Sequence, residues 1–220
     1  MVHQQTTLIP PAIPPDKQET GYISSAQTEP NSIDTYACGL DESHPCNTIS
    51  HCITQLIQDF VTNVEVFSEK IRETKGVDCG TNAYTIYGQS DSIATVETEL
   101  EAAWLTLFSV STGSLTARDF VLVHDSVHPN NRGSRPFEIT GAGEMHISGV
   151  NLSVGSGPSA ETAFSTELIY VQRGIFLMEN VNWEKTISTT SMFSLSSTND
   201  ISFALFACAF DGKERTIINR

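Results

Sequence analysis

From Phe108 onward, apolar residues recur as pairs separated by one residue, and the pairs come in threes. The opening pairs are Phe108-Ser-Val110, Phe137-Glu-Ile139, Ile169-Tyr-Val171 and Phe193-Ser-Leu195. After a few polar or glycine residues comes a second pair: Leu115-Thr-Ala117, Met145-His-Ile147, Ile175-Phe-Leu177 and Ile201-Ser-Phe203. A third pair follows closely: Phe120-Val-Leu122, Val150-Asn-Leu152, Val181-Asn-Trp183 and Phe206-Ala-Cys208. The opening pairs start 29, 32 and 24 residues apart, and in the second and fourth segments all six apolar positions fall at identical offsets. An apolar-x-apolar pair is the pattern of a short strand with one face buried. Three such strands per repeat predict a coil of three, each strand stacking in parallel on its equivalent in the next coil. An antiparallel sandwich would show hairpin turns in place of the repeated triple, and a leucine-rich repeat would show a Leu/Asn pattern that is missing. The predicted fold class is all-β, a right-handed parallel β-helix with three sheets running along a solenoid.

Upstream the period changes. Ile49, Cys52, Ile53, Leu56, Ile57 and Phe60 follow the i, i+3, i+4, i+7, i+8, i+11 spacing of one buried helical stripe. Ser50, Thr54, Gln55, Gln58 and Asp59 form the polar face, Pro45 precedes it, and Asn47 or Thr48 can cap the first turn. A capping α-helix is therefore expected over 48–60. Val64-Glu-Val66 and Tyr84-Thr-Ile86-Tyr-Gly88 read as short strands. Residues 1–33 hold Pro10, Pro11, Pro14, Pro15 and Pro30 and few large apolar residues. Such a segment buries too little surface to offset its ordering entropy, and it reads as a disordered leader. The expected organisation is a leader over 1–33, a cysteine-containing cap with its helix over 34–62, and the solenoid over 63–220.

At this point the sequence resembles the pectin-lyase-like surface proteins, the polymorphic outer-membrane and adhesin-like repeat proteins among them. Tyr36-Ala-Cys-Gly39 and His44-Pro-Cys-Asn-Thr-Ile-Ser-His-Cys-Ile53 are similar to their leader, in which a Gly/Pro-Cys segment runs into a Thr-Ile-x-x-Ala-Ile helix. Cys52 stands at the usual Ala position. Tyr84-Thr-Ile-Tyr-Gly88, Leu107-Phe-Ser-Val110 with Gly113-Ser-Leu-Thr116, and Phe137-Glu-Ile-Thr-Gly-Ala-Gly143 are similar to their coil-opening phrases. The resemblance covers residues 34–220. It implies a β-helix at an extracellular or cell-surface location, binding carbohydrate or other surface proteins. The same fold also hosts lyases and hydrolases.

Composition narrows the partners. The net charge is −14 and there is no Lys/Arg cluster, which excludes a phosphate-binding footprint for nucleic acid and a polybasic patch for anionic membranes. The longest strongly apolar run, Phe203–Phe210, is too short to span a bilayer as a helix. The opening residues Met1–Thr7 have neither the basic nor the apolar region of a secretory signal. A cytosolic location, a signal outside this stretch and a piece of a longer chain all stay open. Of the five cysteines, Cys38, Cys46, Cys52 and Cys79 lie in the first half and Cys208 stands apart. The four admit two disulfides in three connectivities, or reduced thiols in a packed cap. Zinc is a third option, because His44 and His51 flank Cys46 and Cys52, although the spacing departs from paired C-x-x-C knuckles.

The repeat register stacks the outward positions into columns. The second pairs give Thr116, His146, Phe176 and Ser202; the opening pairs give Ser109, Glu138, Tyr170 and Ser194. The third pairs give Val121, Asn151, Asn182 and Ala207. The turns give Arg118-Asp119, Ser148-Gly149, Glu179-Asn180 and Ala204-Leu205. Glycoside hydrolysis needs two carboxyl groups at a defined separation. No column places two carboxylates on adjacent coils, and Asp119 and Glu179 fall two coils apart. The Asn-Thr-Asp, Asp-Asp, Gly-His-Gly and Arg-Ile-Lys motifs of polygalacturonase-like enzymes are absent. Arg118, Asp119, His146, Tyr170, Phe176 and Glu179 are the candidate surface residues. Glu97, Glu99 and Glu101 share one face of a strand, read as a solvated edge with calcium as the alternative. The expected function is a non-catalytic binding or display module, the amino-terminal part of a larger adhesin-like protein. The alternative is a polysaccharide lyase or glycoside hydrolase. The apolar residues of the last triple predict further coils or self-association at the carboxy-terminal end.

Overall fold

The computed structural model describes residues 20–24, 34, 38–39, 42–56, 62–66, 70–89, 93–101, 105–124, 134–154, 169–185, 193–196, 200–212 and 218–219. Strands numbered in chain order fall into three sheets. Sheet 1 runs β1 (Thr20–Ile23), β2 (Asn63–Val66), β5 (Ala83–Gly88), β8 (Ser114–Arg118), β11 (Glu144–Ser148), β14 (Gly174–Glu179), β17 (Ile201–Phe206). Sheet 2 runs β3 (Ile71–Glu73), β6 (Thr95–Thr98), β9 (Val121–His124), β12 (Asn151–Val154), β15 (Asn182–Lys185), β18 (Ala209–Gly212). Sheet 3 runs β4 (Val77–Asp78), β7 (Thr106–Val110), β10 (Arg135–Ile139), β13 (Ile169–Val171), β16 (Phe193–Leu195), β19 (Ile218–Asn219). Every third strand from β2 onward returns to the same sheet, and the paired strands are parallel. The chain is a three-sheet parallel β-solenoid, as the triple pairs imply.

Parallel in-register stacking puts like residues in columns, so the core is a set of apolar ladders. Sheet 1 lines up Val64, Ile86, Ala117, Ile147 and Met178, all fully buried. Sheet 2 lines up Ile71, Val96, Leu122, Leu152 and Trp183, and sheet 3 Phe108, Phe137, Ile169 and Phe193. Phe108 stacks on Phe137 at 5.8 Å between centroids, and Phe176 on Phe203 at 5.6 Å. Each such pair adds about 1 kcal/mol beyond the area it buries.

The helix α1 spans Ile49–Leu56, and Ile49, Cys52 and Ile53 are its buried stripe. Residues 57–60, where the sequence pattern extends it, lie outside the described residues. Thr48 is the cap, its Oγ1 accepting the His51 N–H at 3.3 Å. Asp34 accepts the N–H groups of Asn47 and Thr48, at 2.8 and 3.1 Å. The buried Glu73 carboxylate from β3 takes the N–H of Ile49 at 2.7 Å and of Ser50 at 3.3 Å. Two acidic side chains thus accept the N–H groups at the amino end of the helix.

Three expectations are corrected. Thr20–Ile23 falls inside the expected leader, yet as β1 it pairs with β2, so the solenoid begins before residue 63. The alternation places Gly21 and Ile23 opposite Val64 and Val66, which gives this stretch a buried face. Apart from Ser24, the remainder of the leader lies outside the described residues. In the third triple the inward residues of the second strand are Phe176 and Met178, both fully buried, with Ile175 at 43% exposure. In the fourth they are Phe203 and Leu205, and the third strand turns Phe210 inward, aligned with Trp183. The acidic row is not an edge either, because β6 lies between β3 and β9. Glu97 pairs with Lys70 at 2.6 Å and Glu99 with Arg72 at 3.5 Å.

Candidate functional site

Sheet 1 turns into sheet 2 at a two-residue corner in the last four coils: 119–120, 149–150, 180–181 and 207–208. The first residue of each corner has left-handed backbone, with φ of 61° at Asp119, 61° at Gly149, 50° at Asn180 and 49° at Ala207. Successive corners are bonded, Asp119 N–H to Ser148 O at 3.1 Å and Gly149 N–H to Glu179 O at 3.0 Å. The corner fixes Arg118, Ser148, Glu179 and Phe206 as the last side chains of sheet 1, and their outward column continues upstream through Tyr87 and Glu65.

The amino-terminal half of this column forms the candidate site. The Tyr87 hydroxyl donates to Glu65 Oε2 at 3.1 Å, and the Arg118 guanidinium lies over the Tyr87 ring, 4.9 Å from its centroid. Arg118 Nη1 pairs with Asp119 Oδ2 at 2.6 Å. Burial first, and the neighbouring Glu65 carboxylate next, raise Tyr87 above the ordinary tyrosine range, so the phenol stays a neutral donor. Beside these groups an open groove of about 670 Å³ crosses the corner, lined by Glu65, Tyr87, Gln89, Arg118, Asp119 and Asn151 among others. It offers an aromatic ring, a cation, carboxylates and two amides. These groups hydrogen-bond hydroxyls and stack on flat apolar faces.

No known protein family, no curated protein and no solved structure matches the chain.

The sequence-derived candidates separate on the structure. Arg118 and Asp119 lie together in the groove. His146 and Glu179 meet further along the same face, Nε2 to Oε2 at 3.6 Å. Glu179 belongs to the Arg118 column, with Ser148 between them. Tyr170 sits on another face, in sheet 3, with the Arg135 guanidinium 4.9 Å from its ring centroid. Phe176 is in the core and is withdrawn as a surface residue. Asn151 and Asn182 do stand in register. Glu65 and Tyr87 are the residues missed. Tyr84 and Ile86 pair with Leu115 and Ala117 in register, so extending the columns one repeat upstream would have placed Tyr87 beside Arg118.

Of the four clustered cysteines, Cys38 and Cys46 are joined and Cys52 and Cys79 are buried thiols. Burial, and then the charge of Asp78, pushes the Cys79 thiol up to about 12. Among the described residues no helix is long and apolar enough to cross a membrane.

Proposed function

We propose that the chain is a non-catalytic module of an extracellular or cell-surface protein, and that it binds saccharide in the Tyr87–Arg118–Asp119 groove. It belongs, on this reading, to the right-handed pectin-lyase-like solenoids and forms part of a larger adhesin-like protein. The observation that carries the proposal is the groove itself, where a stacked tyrosine and arginine share an open cleft with carboxylates and amides. Glu65 and Asp119 each already hold a partner, Tyr87 and Arg118. That commitment favours binding over acid–base hydrolysis, which asks for carboxyl groups free to exchange protons with substrate. The Cys38–Cys46 disulfide supports an oxidising compartment.

Calorimetric titration with neutral and uronate-containing oligosaccharides, with and without calcium, tests the reading. Saturable binding weakened tenfold or more by Tyr87→Ala and by Arg118→Ala is expected. No binding by either class of sugar would overturn it. Turnover of a polysaccharide, lost in Asp119→Ala or Glu179→Ala, would replace it with a lyase or hydrolase.

The last coil fits the same picture of a larger assembly. Phe203, Leu205 and Phe210 are only partly buried, whereas their counterparts one coil earlier, Phe176, Met178 and Trp183, are fully buried. Further coils or a second copy would cover them. Light scattering after size exclusion reads the outcome; a monomer that binds no hydrophobic dye would remove this part of the proposal.

A further inference from the structure

The cap gathers ligand-type side chains from three stretches of chain. An oxygen of Asp34, the Cys38 sulfur and a ring nitrogen of His51 all lie within 4.8 Å of one another. The Cys46 sulfur is bonded to Cys38. Independently, a cavity of about 360 Å³ opens onto Asp34 and His51. Gly39 leaves room at the sulfurs: a Cβ there would stand 3.0 Å from both Cys46 Sγ and Cys52 Sγ, and its φ of +84° suits glycine.

We infer that, in the dithiol form of the chain, Asp34, Cys38, Cys46 and His51 are a zinc site. The disulfide and the metal are alternative fillings of one position. A dithiol reductant supplies two electrons and two protons to the Cys38–Cys46 bond and leaves as its own disulfide. Zinc then displaces the two thiol protons to solvent and binds both thiolates. The donor set, two sulfurs, one imidazole and one carboxylate, suits a borderline cation in tetrahedral coordination. Two thiolates on one zinc stand about 3.8 Å apart, from Zn–S lengths of about 2.3 Å, so side-chain rotation suffices to open the bonded pair.

The surroundings fit the charge. Two thiolates and a carboxylate give the bound cluster one net negative charge, which the amino end of α1 favours. Asp34 is oriented for the role by the N–H groups of Asn47 and Thr48 and by the Thr48 hydroxyl, which donates to Oδ2 at 2.8 Å. Cys52 stays outside the set. Its sulfur is not among the donor atoms that lie within 4.8 Å of one another. The site therefore differs from the His44-containing arrangement that the sequence spacing suggests.

The full chain is reduced with a phosphine, desalted under argon and titrated with zinc against a chromophoric chelator. Cobalt substitution follows, read by thiolate-to-metal charge-transfer absorption. One zinc per reduced chain and none in the oxidised chain are expected. His51→Ala and Asp34→Ala should each weaken binding at least tenfold, with His44→Ala and Cys208→Ser unchanged. Should reduction unfold the cap, zinc is expected to restore the thermal transition of the parent and not of His51→Ala. No uptake by the reduced chain, equal uptake by the His51 variant, or uptake with no cobalt–thiolate band would each overturn the assignment.

Discussion

Asp119 lies directly over Gly149: its Oδ1 stands 2.7 Å from the position a Cβ on residue 149 would take. The aspartate that pairs with Arg118 thus fills a space that only glycine leaves open. Gly149→Ala is expected to destabilise the fold by about 1–3 kcal/mol, from left-handed backbone strain and displacement of Asp119. Urea unfolding measures the loss. Saccharide binding in the groove should weaken in parallel, because Arg118 would lose its carboxylate partner.

Ala207 occupies the same left-handed place with φ of 49° and is exposed. The equivalent residues are Asp119, Gly149 and Asn180, types that tolerate this conformation. Ala207→Asn is expected to stabilise the last coil by about 0.5–1 kcal/mol. A higher thermal midpoint checks it; an unchanged or lower one would mean that the corner tolerates alanine without strain.

The register of β14 yields a paired comparison. Phe176 is fully buried and packs on Phe203 and Phe193, whereas Ile175 is 43% exposed. Phe176→Ala should cost about 3–5 kcal/mol, while Ile175→Ser should change stability by about 0.5 kcal/mol or less. The reverse order of effects would restore the phase read from the sequence pairs.

Glu73 makes stability depend on pH. Burial lifts its carboxyl from the ordinary 4.5 to about 7, against the opposing hydrogen bonds from the Ser50 side chain and from the backbone of Ile49, Ser50 and Lys75. The fold therefore prefers the protonated form. This contribution is complete below pH 4.5, declines as pH rises, and is gone above about 7. Its size is about 3 kcal/mol. The stability difference between the parent and Glu73→Gln, measured by urea unfolding at steps across this range, should fall by that amount. A constant difference would show that Glu73 is ionised throughout.

Much of the architecture was legible because period-two pairs in threes admit few folds. The opening pairs held to the residue, Phe137 standing between Phe108 and Ile169. The second pairs failed where the pattern was saturated. Ile175, Phe176, Leu177 and Met178 are four successive apolar residues, so alternation fits either phase. The identical offsets of the second and fourth segments misled for a different reason. The connection from β10 to β11 and that from β16 to β17 differ in length, so distances counted from the opening pair do not carry through. Counting back from the left-handed corner residue, Gly149 or Asn180, restores the register. The groove was half legible: Arg118 and Asp119 were visible as a charged doublet, but their partners Tyr87 and Glu65 lie upstream of the clear repeats.

The two-residue corner has a bearing on how such a chain can change. From β8 onward its length never varies, because one left-handed residue must stack on the next. The connections from sheet 2 to sheet 3 carry most of the variation, β9 to β10 spanning 125–134, β12 to β13 155–168 and β15 to β16 186–192. Insertion tolerance is thus segregated to one seam of the solenoid. A peptide grafted at that seam should leave the ladders untouched, whereas a single-residue deletion at the two-residue corner would turn the sheet 2 strand that follows it inside out.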